Sequence, residues 1–273
     1  MSKINGVSIH SEAIRVGRYD WKNKTTPKTK GYETILIHVK DPLSPYIIKN
    51  NKGQIMENYY QYSKMYPLVE EQDQKEHRYS NKSGWKWPRE KHYEKEIVTD
   101  KYWVWRKAGQ SFPIPVRYPN GFRGKKDCQF IIKFIDDKFW NPFTKITEFK
   151  ISDKLINIIK KYLGDYRPWI PLNIPQGRAY VYYKTYSSIV RKDPYFKELK
   201  DKLKRGIKLQ IVEVDGPPDD LNTKPFEKVK DSSISINKYV VQNWIKSKYS
   251  FGHGVCLAVA LLDKDDWVYD AVD

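Results

Sequence analysis

The chain is short of cysteine, of acidic residues relative to basic ones, and of long apolar runs. Its two cysteines, Cys128 and Cys256, lie far apart and form no metal-type spacing. Neither a disulfide framework nor a zinc site is therefore expected, and a reducing compartment fits. No segment approaches the ~18 consecutive apolar residues that a membrane-spanning helix needs. The opening residues MSKINGVSIHSEAIRVGRYD lack the apolar core of a signal peptide. The expectation is a cytoplasmic protein with no membrane partner. Acidic residues number 33 against 50 Lys and Arg, a formal charge of +17. Such an excess suits a polyanionic partner such as nucleic acid, because Lys and Arg that neutralise phosphates release condensed counterions. Lys greatly outnumbers Arg, however, and Asn, Ile and Tyr are abundant with it. A compositional bias at tolerant surface positions accounts for the charge equally well.

What is present suffices for a core. Of 273 residues, 40% are hydrophobic and 15% aromatic, too many for a disordered chain despite a mean hydropathy of −0.75. The patterns predict an α+β fold: one compact domain with a mixed sheet and several helices over 84–273, and an N-terminal arm with a β-hairpin extension over 1–83. The first thirty residues show no sustained period and read as a loose arm, while YETILIHVK and PYIIKN, separated by DPLS, read as the hairpin. CQFIIKFI reads as a buried strand and ISDKLINIIKKYLG as a helix. RAYVYYKTYSSIV is ambiguous between strand and helix. DPYFKELKDKLKRG is a clear helix, with Asp193 as cap, Pro194 in the first turn, Phe196, Leu199 and Leu203 as the apolar stripe, and Gly206 at its end.

Three stretches carry candidate chemistry. In residues 85–124, Trp85, Trp87 and Trp105 are interleaved with Arg117 and Arg123. Tryptophans in such numbers are either core anchors or a stacking platform for bases, with arginines beside them for phosphate. Asn120-Gly121 places Arg117 and Arg123 on either side of a tight reversal. In IKLQIVEVDGPP, Ile207, Leu209 and Ile211 alternate with polar residues, and the same parity points Glu213 and Asp215 toward the core side of a strand end. These acids either serve a site or turn outward to pair with lysine. In SFGHGVCLAVALL, Gly252-His253-Gly254 leads into an eight-residue apolar run that reads as a buried helix. A helix start of this kind offers free N–H groups and the positive end of a dipole to phosphate. His253 is then either a general acid or phosphate contact, or a polar turn residue.

The order of landmarks along most of the chain resembles two families. Ser63-Lys64-Met65-Tyr66-Pro67, Trp87-Pro88 with Glu90 and His92, Trp103-Val104-Trp105-Arg106, Val116 to Phe122, Glu213 to Pro217 and Phe251 to Gly254 are similar to a family shared by large DNA viruses, phages and bacteria, a likeness that brings no activity with it. Trp87-Pro88 with Glu90, His92 and Tyr93, the Leu209–Glu213 segment behind a helix ending at Gly206, and Phe251-Gly252-His253-Gly254 before Leu257 and Leu261 resemble the NADAR superfamily. Its members include N-glycosidases of riboflavin-pathway intermediates and hydrolases that remove ADP-ribose from guanine in DNA. Lys91 stands where that family has Glu before His, and Ile189-Val190 fall near its Lys-Phe pair. The resemblance implies hydrolysis of an N-glycosidic bond in an ADP-ribosyl or related nucleotide substrate without a metal or redox cofactor. Glu90 and Glu213 would share the acid, base and charge-stabilising roles, with Asp215 and His253 in support. Arg117, Arg123, Gly252 and Gly254 would hold phosphate, and Trp85, Trp87, Trp105 and His92 would line the base. A non-catalytic, basic nucleic-acid-binding protein is the competing expectation.

Overall fold

The computed structural model describes residues 3–4, 7–8, 12–20, 22–65, 68–69, 72–73, 86–87, 89–94, 97–116, 129–133, 169–217 and 232–272. In chain order its principal elements are β1 (Ile14–Arg18), β2 (Tyr32–Leu36), α1 (Met56–Gln61), β3 (Lys64–Met65), α2 (Asp100–Gln110), β4 (Gln129–Lys133), β5 (Trp169–Leu172) and α3 (Ile174–Gly177). A π-helical turn (Arg178–Tyr183) follows, then α4 (Lys184–Val190), α5 (Pro194–Lys204), β6 (Lys208–Glu213), β7 (Ser233–Ser235), α6 (Lys238–Lys246), α7 (His253–Leu261) and α8 (Asp265–Tyr269). The fold is α+β: a mixed four-stranded sheet in the order β7-β1-β6-β2, a small antiparallel sheet in the order β5-β4-β3, and helices packed against them.

β6 is the hinge of the architecture because it pairs in parallel with β1 on one side and β2 on the other. Every residue of it except Lys208 is buried. The alternation expected of a half-buried strand thus becomes burial on both faces. Leu209 and Ile211 enter the main core with α7. On the opposite face Gln210, fully buried, donates to the Pro27 carbonyl and accepts from Thr29. That pairing answers the cost of burying an amide.

The N-terminal segment differs from a loose arm. It contains a short hairpin, Lys3–Ile4 against Val7–Ser8, but Ile14 and Val16 are wholly buried in an inner strand of the central sheet. Tyr32–Leu36 likewise takes its partner from β6 rather than from the segment after the 41–44 turn, and residues 45–47 are turn. A partner nearly two hundred residues away leaves no trace in local periodicity.

Two helices follow their caps closely. Asp193 accepts from the Tyr195 N–H at 2.8 Å, Pro194 stands in the first turn, and Gly206, at φ +82°, closes the segment after α5. α7 is apolar on all sides, and all its residues are buried between β1, β6, α4 and α8. The ambiguous RAYVYYKTYSSIV is helical, with the wider π turn at its start. The expected helix over 151–164 lies outside the described residues.

Candidate functional site

The carboxyl ends of β1, β6 and β2 open on one edge of the sheet, the position at which parallel strands deliver side chains to a crevice. Glu213 is the last residue of β6 and is fully buried. Its carbonyl accepts from the Tyr19 N–H at 2.8 Å. α7 begins at the same edge, and its start is shaped around the Glu213 carboxylate. A Cβ on Gly252 would lie 2.2 Å from Glu213 Oε2, and one on Gly254 would lie 2.7 Å from Oε1. Gly252 caps the helix in an extended conformation, φ −93° and ψ −179°, so close approach rather than backbone freedom requires glycine here. The positive end of that helix's dipole therefore faces the Glu213 carboxyl group.

His253 completes the arrangement. Its Nδ1 stands 3.0 Å from Glu213 Oε2 and its Nε2 3.3 Å from the Ile37 carbonyl oxygen. Burial opposes charge on this ring, but the Glu213 carboxylate, the Ile37 carbonyl and Asp215 outweigh it and raise the imidazole pKa above its ordinary value. Imidazolium is the form that gives both acceptors a proton. Asp215, two residues beyond Glu213, lies in the turn and is exposed. The strand ends before its parity reaches Asp215.

A second carboxyl group comes from α1. Glu57 is half-buried and accepts from Gln61 Nε2 at 2.5 Å, while Lys64 Nζ donates to Gln61 Oε1 at 2.7 Å. Burial raises the Glu57 pKa; the Gln61 bond and Lys64 oppose that shift, Asp215 adds to it, and His253 opposes it. The acid form is favoured by removal from water. A row of rings runs from α1 to the histidine: Tyr60 to Tyr182 at 4.4 Å, Tyr182 to Tyr186 at 6.2 Å, and Tyr186 to His253 at 6.3 Å between centroids. The charges of Glu57 and Glu213 both reach the Tyr182 phenol, which burial holds well above its ordinary pKa.

Arg178, at the start of the π turn, holds the approach to this edge. Its buried guanidinium donates to the carbonyls of Ile245 and Ser247, each at 2.7 Å, and of Tyr249 at 2.6 Å. Those bonds fix the loop that delivers Gly252 and His253.

The expected site residues are thus only partly brought together. Glu213, His253, Gly252, Gly254 and Asp215 share the edge, with the two glycines packed on the Glu213 carboxylate. Glu90 sits on a two-residue strand, Glu90–Lys91, paired with Leu68–Val69, and its carboxylate is 3.7 Å from Lys101 Nζ. His92 is wholly buried, with its ring 5.0 Å from Tyr102 and 4.7 Å from Trp105, and burial pushes its pKa down to about 3. Trp105 belongs to a separate small core with Tyr62, Val69 and Val116. That packing gives His92 and Trp105 a structural role, the core-anchor alternative for Trp105. Trp87 lies on a short strand whose side chains are outside the described residues; Trp85, Arg117 and Arg123 are outside them altogether.

Glu57, Tyr182 and Tyr186 do not stand out in the sequence. The available signal was NKGQIMENYYQYSK, where Glu57, Tyr60, Gln61 and Lys64 fall three, four and seven apart, one face of a helical turn and its continuation. Comparison with family models, curated proteins and solved structures finds no match for this chain.

Proposed function

We propose that the protein is a NADAR-like hydrolase that cleaves the N-glycosidic bond of an ADP-ribosyl or related nucleotide substrate. One observation carries this reading: at the carboxyl edge of three parallel strands, a half-buried carboxyl group biased toward its acid form, Glu57, converges with the buried Glu213–His253 pair and the exposed Asp215. Glycosidic cleavage needs an acid for the leaving group and negative charge beside the developing oxocarbenium ion.

Glu57, half-buried on α1, supplies the proton. As the bond between the anomeric carbon and nitrogen breaks, the nitrogen takes that proton and the base departs neutral. Water then adds to the anomeric carbon and returns a proton to the Glu57 carboxylate, so the group ends as it began. The Asp215 carboxylate offsets positive charge on the sugar. Glu213, closed off from solvent, acts from behind by orienting His253 and fixing the start of α7. Its role is positioning and charge stabilisation rather than contact with substrate.

Release of free base or ADP-ribose from ADP-ribosylated guanine DNA and from small nucleotide N-glycosides, followed by chromatography, tests the proposal. Wild-type protein should turn over at least one of these, and Glu57→Gln should bind it while losing about 10²-fold or more in rate. Turnover unchanged in Glu57→Gln removes the assigned acid. The net charge of +17 favours the second reading, a nucleic-acid-binding protein. That reading predicts binding that weakens steeply with salt whatever the sequence, with no product released.

A further inference from the structure

Glu57 is one end of a short relay of side chains. Gln61 Nε2 donates to Glu57 Oε1 at 2.5 Å, and Lys64 Nζ donates to Gln61 Oε1 at 2.7 Å. Glu57 and Gln61 lie four residues apart on α1, so their side chains meet on one face. Lys64 follows on β3, where it pairs with Phe130 of β4, and its Nζ stands 4.8 Å from the centre of the Tyr60 ring. Strand pairing, the ring and the amide oxygen together hold the ammonium in place.

The relay has a direction. An ammonium carries three donors and no acceptor, so the Gln61 amide turns its oxygen to Lys64 and its NH₂ to Glu57. Glu57 Oε1 receives that N–H and serves as the carbonyl oxygen of the protonated carboxyl group. Among the described residues no hydrogen bond engages Oε2, so the acid proton on Oε2 is not spent on a neighbour. Without the ammonium the amide is free to turn over. Its oxygen would then accept from the Glu57 hydroxyl, and the proton would be held on Oε1 inside the relay, away from a leaving group. Burial raises the Glu57 pKa; Gln61, Lys64 on β3 and His253 on α7 oppose the rise, and Asp215 in the turn after β6 adds to it. Tyr182, from the π turn, feels the Glu57 charge in return.

We propose that Lys64 is a positioning residue for the acid: by orienting the Gln61 amide it keeps the Glu57 proton on Oε2. The use of that proton in catalysis rests on the N-glycosidase reading, whereas its placement is a property of the free protein and is measured without substrate.

Titration of the Glu57 carboxyl carbon by ¹³C NMR, with the signal assigned by its loss in Glu57→Gln, tests the placement. Lys64→Met removes both the charge and the constraint on the amide, so the Glu57 midpoint should rise by about one pH unit. Lys64→Arg, which also offers donors only, should titrate close to wild type. A bare charge effect would raise the midpoint as much with the amide absent, whereas action through the amide would not. In the Gln61→Met background, Lys64→Met should therefore move Glu57 by less than about half as much. An unchanged midpoint in Lys64→Met, a Lys64→Arg midpoint displaced as far as that of Lys64→Met, or the same Lys64→Met shift in both backgrounds overturns the proposal. In the glycosidase assay Lys64→Met should lower kcat about tenfold with KM little changed; turnover at the wild-type rate would overturn the catalytic use of the relay. The expected shifts in a protein that releases no base from any N-glycoside would retain the positioning role and overturn the hydrolase.

Discussion

Replacing Gly252 with alanine tests whether the start of α7 is built around the Glu213 carboxylate. The new Cβ would sit 2.2 Å from Glu213 Oε2 and 2.6 Å from its Cδ. Ordinary contact needs more than an ångström of additional separation, and the carboxylate is enclosed on every side. Overpacking alone costs about 1–3 kcal/mol, and driving Glu213 away from His253 begins to expose the larger penalty of a buried charge without its partner, about 3–5 kcal/mol when complete. We expect a loss near ~3 kcal/mol, or a fall in melting temperature of about 6–12 °C for a chain of this size. Alanine is a poorer helix cap than glycine, an effect that must be separated from the clash. The Glu213→Ala background makes the separation: with the carboxylate gone, Gly252→Ala should cost less than about 1 kcal/mol, leaving a coupling of about 2 kcal/mol. Urea unfolding of the four proteins measures it. An equal cost in both backgrounds would refute the close-approach explanation for the glycine.

Two further expectations concern titration. The His253 pKa is raised in the folded protein, so the stability it contributes is fully present below the ordinary histidine value of 6.5 and is lost as pH rises through the folded value. The advantage of wild type over His253→Gln in denaturant unfolding should therefore shrink between pH 6 and pH 9, whereas a constant difference would contradict the ion pair. Burial lowers the Lys184 pKa from 10.5 to about 7, so the unfolded chain binds the additional proton between those values and stability from this group rises with pH across that window. Lys184→Met should stabilise the protein most at pH 7 and below, with the gain vanishing near pH 10; a gain independent of pH would rule out burial of the charged amine.

Local signals made some parts legible and left others hidden. The α5 helix announces itself through Asp193, Pro194, its apolar stripe and Gly206. Strand parity placed Glu213 on the core side with Leu209 and Ile211, and the apolar run after Gly254 is the buried helix it suggested. β1 and β2 were obscure because their pairing with β6 spans most of the chain, and short-range periodicity does not encode such partners. The glycines around His253 looked suited to phosphate, since a short glycine-flanked helix start is the same whether the anion is a ligand or a glutamate from the same chain; only the 2.2 Å approach distinguishes them. Glu57 was hidden for a similar reason. Its pKa is raised by burial among groups from α1, the strand edge and the turn after β6, which are far apart in sequence. His92 and Trp105 illustrate the opposite case, because a tryptophan-rich stretch gives the same composition whether it stacks on a base or fills a core, and here the two rings lie against each other at 4.7 Å.

The central claim is hydrolysis at an anomeric carbon, and the fate of the water oxygen tests it most directly. Incubation of the protein with ADP-ribosylated guanine DNA or a small nucleotide N-glycoside in ¹⁸O-labelled water, followed by mass spectrometry of both products, should show one heavy oxygen on the released sugar and none on the base. Heavy oxygen on the base, or intact substrate after prolonged incubation with folded protein, would contradict the account.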